Sequence, residues 1–375
     1  MKFLLFLLLC GSSELFAQEV RFLNRSPQAL LMGDAYTSLA DDEYTLFYNP
    51  AALAKNSGVE LYFLNPHLGV TNALGDLDRF ENFPTDDAVA INERLQGYPV
   101  HVQLGISPGF KIGGFGLSYI ANSTMNLVLR NAVHPALDLD YRYDKGFVMG
   151  YAHSFGSMAG RTSKGSKAAQ GSMTSVGASF KYIQREGVET SYDLFGTKLL
   201  NDINSGLEDV DAIKEAIGYS RGKGIGFDLG VLHTLRAGGT EMNFGASVLD
   251  IANTRFSRSS GTEEVPEQEM TFNLGASYIQ KFGIFKSTFS VDLHPVEEQI
   301  DFARKIHLGF KFEVPLIDIM LGFNGGYLSY GLGLNLWPFH LMVGFYSVES
   351  GSEFKSEESG RGILYLSLLN IDLDL

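Results

Sequence analysis

Few side chains in this 375-residue chain are arranged for covalent chemistry. A serine nucleophile needs a base within hydrogen-bond reach and an acid that orients the base. His153-Ser154 comes nearest to this arrangement, but no acidic partner or oxyanion loop can be placed beside it. We therefore predict a protein that is not an enzyme and has no catalytic residues, in which His153 is an interfacial strand residue.

Metal, cofactor and nucleic-acid chemistry are not indicated either. Asp41-Asp42-Glu43 lacks the ligand spacing of a calcium loop, and we interpret it as a solvated turn or helix start. The one cysteine, Cys10, excludes a disulfide framework and a thiolate zinc site. A formal net charge of -14 without a lysine-rich block argues against binding to phosphates. We predict no metal, no cofactor and no nucleic-acid partner.

The first residues have the pattern of an export signal. Lys2 supplies a positive charge, residues 3–10 form an apolar run, and Ala17 is a small residue before a cut ahead of Gln18. The apolar run is too short for a spanning helix, which needs about 20 residues. We therefore predict a signal peptide over residues 1–17 and export from the cytoplasm.

Alternation with period two is the strongest regularity in the rest of the chain. One face of each alternating segment is apolar and aromatic, and the other mixes glycine, serine, asparagine, aspartate and lysine. A soluble sandwich would need a second apolar layer, whereas this pattern suits a watery lumen inside and lipid outside. Examples are residues 225–231, 242–248, 271–278, 306–312, 317–323, 328–336 and 369–375.

The connections between these segments alternate in length. Short links such as Ser107-Pro108-Gly109 and residues 236–240 alternate with long ones such as residues 66–99 and 185–223. Short periplasmic turns and long extracellular loops are typical of outer-membrane barrels, and closure pairs every backbone amide in lipid. We therefore predict an all-β fold, a transmembrane antiparallel β-barrel of about fourteen strands over residues 58–375. Its location is the outer membrane of a Gram-negative bacterium, with the lipid bilayer as a partner.

The segment before the barrel, residues 18–57, does not alternate. Ser26 as N-cap, Pro27 at the first helical position and Gly33 as terminator predict a short helix. Fourteen strands enclose a space between that of small filled barrels and open porins, so an unfilled lumen would leak. We predict that this partly apolar piece is a plug, or hatch, in the lumen; the alternative is a periplasmic tail outside it.

Two runs in this segment form a three-part pattern. Residues 26–42 carry a small-rich Met-Gly-Asp-Ala helix and an acidic Ala-Asp-Asp step, and residues 46–54 carry a Tyr-Asn-Pro-Ala motif. This order resembles the amino-terminal signature of the FadL-like and PorV-like outer-membrane proteins. In FadL-like proteins the region is a hatch in a fourteen-stranded barrel, through which long-chain fatty acids pass. The resemblance implies that the hatch motif here consists of Met32, Gly33, Asn49, Pro50 and Ala51.

Gly113 and Gly114 coincide with a slip in the alternation. The apolar series shifts at these glycines from Phe110 and Ile112 to Phe115. Two glycines with a register slip predict a β-bulge in the third strand. In FadL-like barrels a distortion of the third strand opens a sideways exit into the membrane, and the resemblance implies a lateral opening here.

Two loop helices are predicted above the barrel. Ser205 and Glu208 form a capping box, Thr85 precedes the second apolar periodicity, and both helices end at glycine. Their apolar faces either cover the barrel mouth or form an access groove for a hydrophobic ligand. The residues of such a groove are Leu207, Val210, Ile213, Ile217, Val89 and Leu95.

Two functions fit these features. The first is passive passage of a hydrophobic, fatty-acid-like or aromatic small molecule through the plugged barrel. The second is a PorV-like interaction or secretion-accessory role, in which long loops dock an exported protein. Because one barrel type carries both functions, the lumen discriminates between them: an apolar tunnel favours transport, and a lumen filled with polar side chains favours docking.

Overall fold

The computed structural model describes residues 19–56, 58–73, 81, 93–130, 136–159, 170–193, 214 and 217–373, so the predicted signal peptide lies outside the described residues. One α-helix, α1, spans Pro27–Leu31, and 3-10 turns span Thr45–Phe47, Pro50–Lys55 and Phe302–Lys305. The strands are β1 Val59–Tyr62, β2 His67–Thr71, β3 Val100–Ile106, β4 Gly109–Ile112, β5 Phe115–Arg130, β6 Ala136–Ala159, β7 Gln170–Asp193, β8 Ser220–Ala237, β9 Thr240–Leu249, β10 Phe256–Ser260, β11 Thr271–Phe282, β12 Phe285–Leu293, β13 Ile306–Val314, β14 Ile317–Asn324, β15 Tyr327–Leu336, β16 Phe339–Glu349, β17 Glu358–Leu368 and β18 Ile371–Leu373.

These segments form one closed antiparallel ring. Three positions in the ring each hold two consecutive segments, β1 with β2, β3 with β4, and β17 with β18. The strand β10 pairs with the long-loop end of β8, beyond the part of β8 that pairs with β9, and adds no position. Fourteen positions result from the eighteen described segments, and the ring closes where β2 meets β17 and β1 meets β18. The predicted fold class, a fourteen-stranded barrel, is confirmed.

The outer surface is apolar because every second side chain points away from the lumen. On β8, Ile225, Phe227 and Leu229 are each more than half exposed, and their neighbours along the strand are buried. Within the described residues the ring closes on itself, so the sheet has no free first or last strand, as a bilayer requires. The chain is therefore an outer-membrane β-barrel, in agreement with the predicted location.

The helices of the described ranges are short. They have between three and six residues, and none of them has the length and apolar character needed to cross a membrane.

One predicted turn lies elsewhere in the structure. The hairpin between the second and third positions turns at Gly113-Gly114, where Ile112 pairs with Phe115. The predicted β-bulge at Gly113 and Gly114 is therefore wrong, and the positive φ of Gly113 (55°) is one that tight hairpin turns need. The predicted turn at Ser107-Pro108 is an interruption within one position, because β3 and β4 both pair with β5. Pro108 has no N–H to give to a ladder.

Candidate functional site

Residues 19–56, which we call the hatch segment, fold into two capped turns. The Ser26 hydroxyl accepts a hydrogen bond from the Ala29 amide (3.3 Å), as the sequence predicted for the start of α1. Asn49 caps the 3-10 turn that follows it by accepting from the Ala51 amide (3.0 Å). Each cap satisfies an amide that would otherwise lack a partner.

The hatch segment lies inside the ring against a row of strand glycines. A Cβ atom on Gly322 would lie 2.0 Å from the Gly33 amide nitrogen, and one on Gly230 would lie 2.0 Å from Asn49 Oδ1. A wall side chain would therefore occupy the volume of the hatch. The row, which we call the glycine belt, consists of Gly116, Gly150, Gly177, Gly230, Gly245, Gly275, Gly309, Gly322, Gly331 and Gly344.

The glycine belt spans ten of the strands because its members face one another two by two in the sheet. The paired positions are Gly116 with Gly150, Gly177 with Gly230, Gly245 with Gly275, Gly309 with Gly322, and Gly331 with Gly344. The sequence assigned such small residues to a watery lumen. They instead face the hatch segment, and close approach of another backbone is a recognised reason for glycine in a strand.

The predicted hatch residues contact the wall in two places. Met32 and Gly33 lie against β13 and β14, and the Gly33 carbonyl is 3.0 Å from His307 Nδ1. Asn49, Pro50 and Ala51 lie against β7 and β8. There the Asn49 side-chain amide donates to the Val231 carbonyl (3.1 Å) and, within the hatch segment, to the Thr37 carbonyl (3.1 Å).

Wall residues that hold the hatch segment escaped the sequence analysis. The Asp292 carboxylate accepts from the backbone amides of Tyr36 (2.8 Å) and Thr37 (2.6 Å). Ser247 donates to the Tyr48 carbonyl (2.7 Å). In the sequence both residues are ordinary members of a polar strand face, and their spacing carries no signal that would have identified them.

The lumen on the long-loop side of the hatch is filled with ion pairs. Lys181 lies 2.8 Å from both Asp228 and Asp250, and all three are buried. Arg142 and Asp140, two positions apart on β6, pair at 2.9 Å. Each of these buried charges therefore has a partner of opposite sign.

Two small cavities lie among the described residues in this part of the lumen. Their volumes are about 50 and 60 Å³, and both are lined by charged side chains such as Arg25 and Glu19. An apolar cavity that binds benzene has a volume of about 150 Å³. Neither cavity therefore admits an aromatic ring in this conformation. Within the part of the chain that the structure describes, no cluster of His, Cys, Asp or Glu is placed to bind a metal.

The wall is interrupted beside the hatch segment, at residues 63–66 and Ser107-Pro108. There the Asn65 side chain replaces the missing ladder: its oxygen accepts from the Ser107 amide (2.8 Å) and its nitrogen donates to the Ser107 carbonyl (2.9 Å). The same nitrogen donates to Glu43 of the hatch segment (3.1 Å). Asn24, also of the hatch segment, donates to the Ser107 hydroxyl (2.7 Å). The hatch segment thus shares hydrogen bonds with the closure of the wall.

The acidic step of the hatch segment, Asp41-Asp42-Glu43, leads into the 3-10 turn at Thr45–Phe47, as a helix start would, but only Asp41 is exposed to solvent as a solvated turn would be. Glu43 is buried and accepts hydrogen bonds from Tyr365 and Asn65. Asp42 accepts from the Ser26 hydroxyl. Burial, together with the adjacent Glu43 carboxylate, raises the pKa of Asp42 to about 7.

The raised pKa of Asp42 predicts that the hatch segment is held less tightly at higher pH. Because the folded state binds the Asp42 proton more tightly than the unfolded chain does, protonation of Asp42 stabilises the folded hatch segment. This stabilisation is complete below about pH 4 and is lost as the pH rises through about 7. Solute leakage through proteoliposomes should therefore be greater at about pH 8 than at about pH 5. Asp42→Asn should reduce this difference, and an unchanged pH profile in that variant would contradict the assignment.

The predicted loop-helix groove lies mostly outside the described residues. This applies to Leu207, Val210, Ile213 and Val89. Leu95 lies in a helical turn at residues 93–95, and Ile217 lies in a turn where its carbonyl accepts from Tyr192. The structure does not bring these two residues together in a described groove.

Comparisons with known proteins identify no family. No family model matches the chain, and no curated protein matches it. Among solved structures, the CymD monoaromatic hydrocarbon channel gives a TM-score of 0.49 at 12% identity, over 95% of this chain and 100% of that chain. The toluene transporter TodX of Pseudomonas putida gives 0.45 at 10% identity, over 94% and 100%.

A third solved structure gives a similar score and coverage. The toluene transporter TbuX of Ralstonia pickettii gives a TM-score of 0.46 at 10% identity, over 93% of this chain and 99% of that chain. At these scores the likenesses support no inference about what this chain binds. On its own geometry, the chain is a fourteen-stranded outer-membrane β-barrel whose amino-terminal segment lies in the lumen.

Proposed function

We propose that the protein is a passage for hydrophobic small molecules across the outer membrane, and that the hatch segment is its closed gate. One observation carries the proposal: the cavity of about 60 Å³ reaches Asn24, whose side chain bonds to Ser107 at the wall interruption. A lumen cavity and a gap in the strand ladder are therefore separated by hatch side chains. Movement of those side chains would connect the cavity to the interruption in the wall.

The proposed route leads from the long-loop side into the lumen and then sideways through the wall interruption. This replaces the exit suggested at Gly113 and Gly114, which form a hairpin turn. On the outer side of the interruption, Phe63 and Leu64 are about half exposed to the lipid face. A hydrophobic ligand, fatty-acid-like or aromatic, would leave here directly into acyl chains without meeting water.

Asn65→Ala should raise the flux of a hydrophobic probe. The substitution removes the two bonds that close the wall interruption and the bond to Glu43. Each lost bond costs about 1 kcal/mol. Toluene uptake into proteoliposomes should therefore increase relative to the unsubstituted protein.

Asn243→Ala is the matched control for this experiment. Asn243 is also fully buried, faces the lumen and shares hydrogen bonds with Thr234 and Ser277, but it lies on β9, away from the interruption. It should leave uptake unchanged. Equal uptake by both variants would show that the interruption is not the route.

A second candidate function is docking of an exported protein, as in PorV-like barrels. The polar filling of the lumen favours it, because neither cavity is large or apolar enough for a hydrophobic ligand in this conformation. Mass spectrometry of the protein purified from native outer membranes in detergent discriminates between the functions. Recovery of an exported protein in stoichiometric amount supports docking, and recovery of hydrophobic small molecules alone supports passage.

A further inference from the structure

Three neighbouring hairpins on the short-turn rim have apolar tips. Each of these tips is a two-residue turn, Gly283-Ile284, Pro315-Leu316 or Trp337-Pro338. Ile284, Leu316 and Trp337 are 71%, 57% and 82% exposed within the protein itself. Large apolar side chains at such positions would meet water at a cost if the rim projected from the membrane.

The apolar tips continue the lipid-facing surface of the barrel. The hairpins are formed by β11 to β16, which are consecutive in the ring, so the tips lie side by side. Just above them, three outward rings cluster: Phe285 lies 5.8 Å from Phe282 and 5.9 Å from Phe312 between ring centroids. On β13 to β16 the outward series therefore stays apolar from the strands to the tips, and on β11 and β12 one polar pair, Gln280 with Ser287, interrupts it above Phe282 and Phe285.

Charged groups in this sector are on the inner face. Lys286 pairs with Glu313 at 2.8 Å, and Asp318 pairs with Lys311 at 3.2 Å, while their strand neighbours Phe285 and Ile317 face outward. Among the described residues of these hairpins, no ion pair lies between the tips and the lipid-facing surface. A bilayer meets such a surface without desolvating a charge.

The other two described turns on this rim differ in chemistry. Gly113-Gly114 and Gly238-Gly239 present no side chains, and Arg236 and Glu241 form an ion pair beside the second of them. There the large apolar side chains of the outer series end at Leu235 and Met242, before Ala237 and Thr240 at the turn. The large apolar side chains thus extend further toward the rim at the three tips than around Gly238-Gly239.

We infer that the three apolar tips are immersed in the periplasmic leaflet of the outer membrane. Tryptophan favours the membrane–water interface, and isoleucine, leucine and phenylalanine favour the hydrocarbon below it. Because the tips continue the lipid-facing surface of the strands, lipid is what covers them. This sector anchors the barrel and sits deeper in the bilayer than the sector around Gly238-Gly239.

The protein carries its own probe for this inference, because Trp337 is its one tryptophan. In phosphatidylcholine vesicles containing brominated lipid, Trp337 emission should be blue-shifted, strongly quenched by the bromine atoms and weakly quenched by aqueous iodide. Emission typical of water with strong iodide quenching would overturn the inference. So would shielding that develops only after a periplasmic extract is added, because it would indicate a protein partner.

A tryptophan at the other kind of turn provides the control. In the double variant Trp337→Phe with Ala237→Trp, the indole lies beside Gly238-Gly239 at a position that is exposed. It should be quenched several-fold more strongly by iodide than Trp337 and less by brominated lipid. Equal shielding at both positions would overturn the proposed difference in depth. Heat-modifiable migration in gels verifies that each variant forms the barrel.

Discussion

Gly322→Ala should displace the hatch segment and open the lumen to small solutes. The added Cβ would lie 2.0 Å from the Gly33 amide nitrogen and 2.3 Å from the Met32 carbonyl carbon. Because both are backbone atoms, no rotamer change relieves the contact. Overpacking of this kind costs about 1–3 kcal/mol or more. Sucrose efflux from proteoliposomes should rise many-fold over that of the unsubstituted barrel.

Gly360→Ala separates this effect from a general effect on strands. Gly360 is also a strand glycine, but its Cβ would lie 3.7 Å from the nearest heavy atom, in Asn72, at an ordinary contact distance. This variant should retain the unsubstituted efflux rate. If Gly322→Ala forms a heat-modifiable barrel and yet leaks no more than Gly360→Ala, the hatch segment does not close the lumen.

Of the proposed substitutions, Lys181→Met should lower the free energy of unfolding the most. Lys181 is 2% exposed and is the cation between the buried carboxylates of Asp228 and Asp250. Removing one partner from a buried ion pair costs about 3–5 kcal/mol, because the remaining charge is uncompensated. Equilibrium unfolding of the barrel in urea and lipid should show a loss of this size.

Two further variants test the electrostatic explanation. Adding Asp228→Asn to Lys181→Met removes one of the uncompensated charges and should restore part of the lost stability. Lys281→Met changes an exposed lysine and should shift stability by less than about 0.5 kcal/mol. If the double variant is less stable than Lys181→Met alone, the loss comes from packing and not from charge.

The barrel was predictable because its main signal is local. Alternation within each strand reports which face meets lipid, and fourteen strands followed from counting such segments. The position of one turn was not predictable in this way. Pro108 resembles a turn residue in the sequence, and only the pairing of β3 and β4 with β5 shows that the strand continues past it.

The hatch segment was predictable in its local structure but not in its contacts. Ser26 and Pro27 specified the start of a helix, as capping residues do without help from the rest of the chain. The partners of the segment are Asp292, Ser247 and the glycine belt, far away in the sequence. The sequence does not distinguish a glycine that faces water from a glycine that contacts a second backbone, so the role of the glycine belt could be seen only in the structure.

The glycine belt has a consequence for the shape of an emptied barrel. Many pores are narrowest where long side chains converge on the axis, and their selectivity is set there. Here ten of the wall positions that face the hatch segment are glycines, so main-chain atoms line much of the wall at this level along β5 to β9, β11 and β13 to β16. If the hatch segment were removed, this part of the barrel would be wide, and the charged residues nearer the long loops would contribute most to any sieving of solutes.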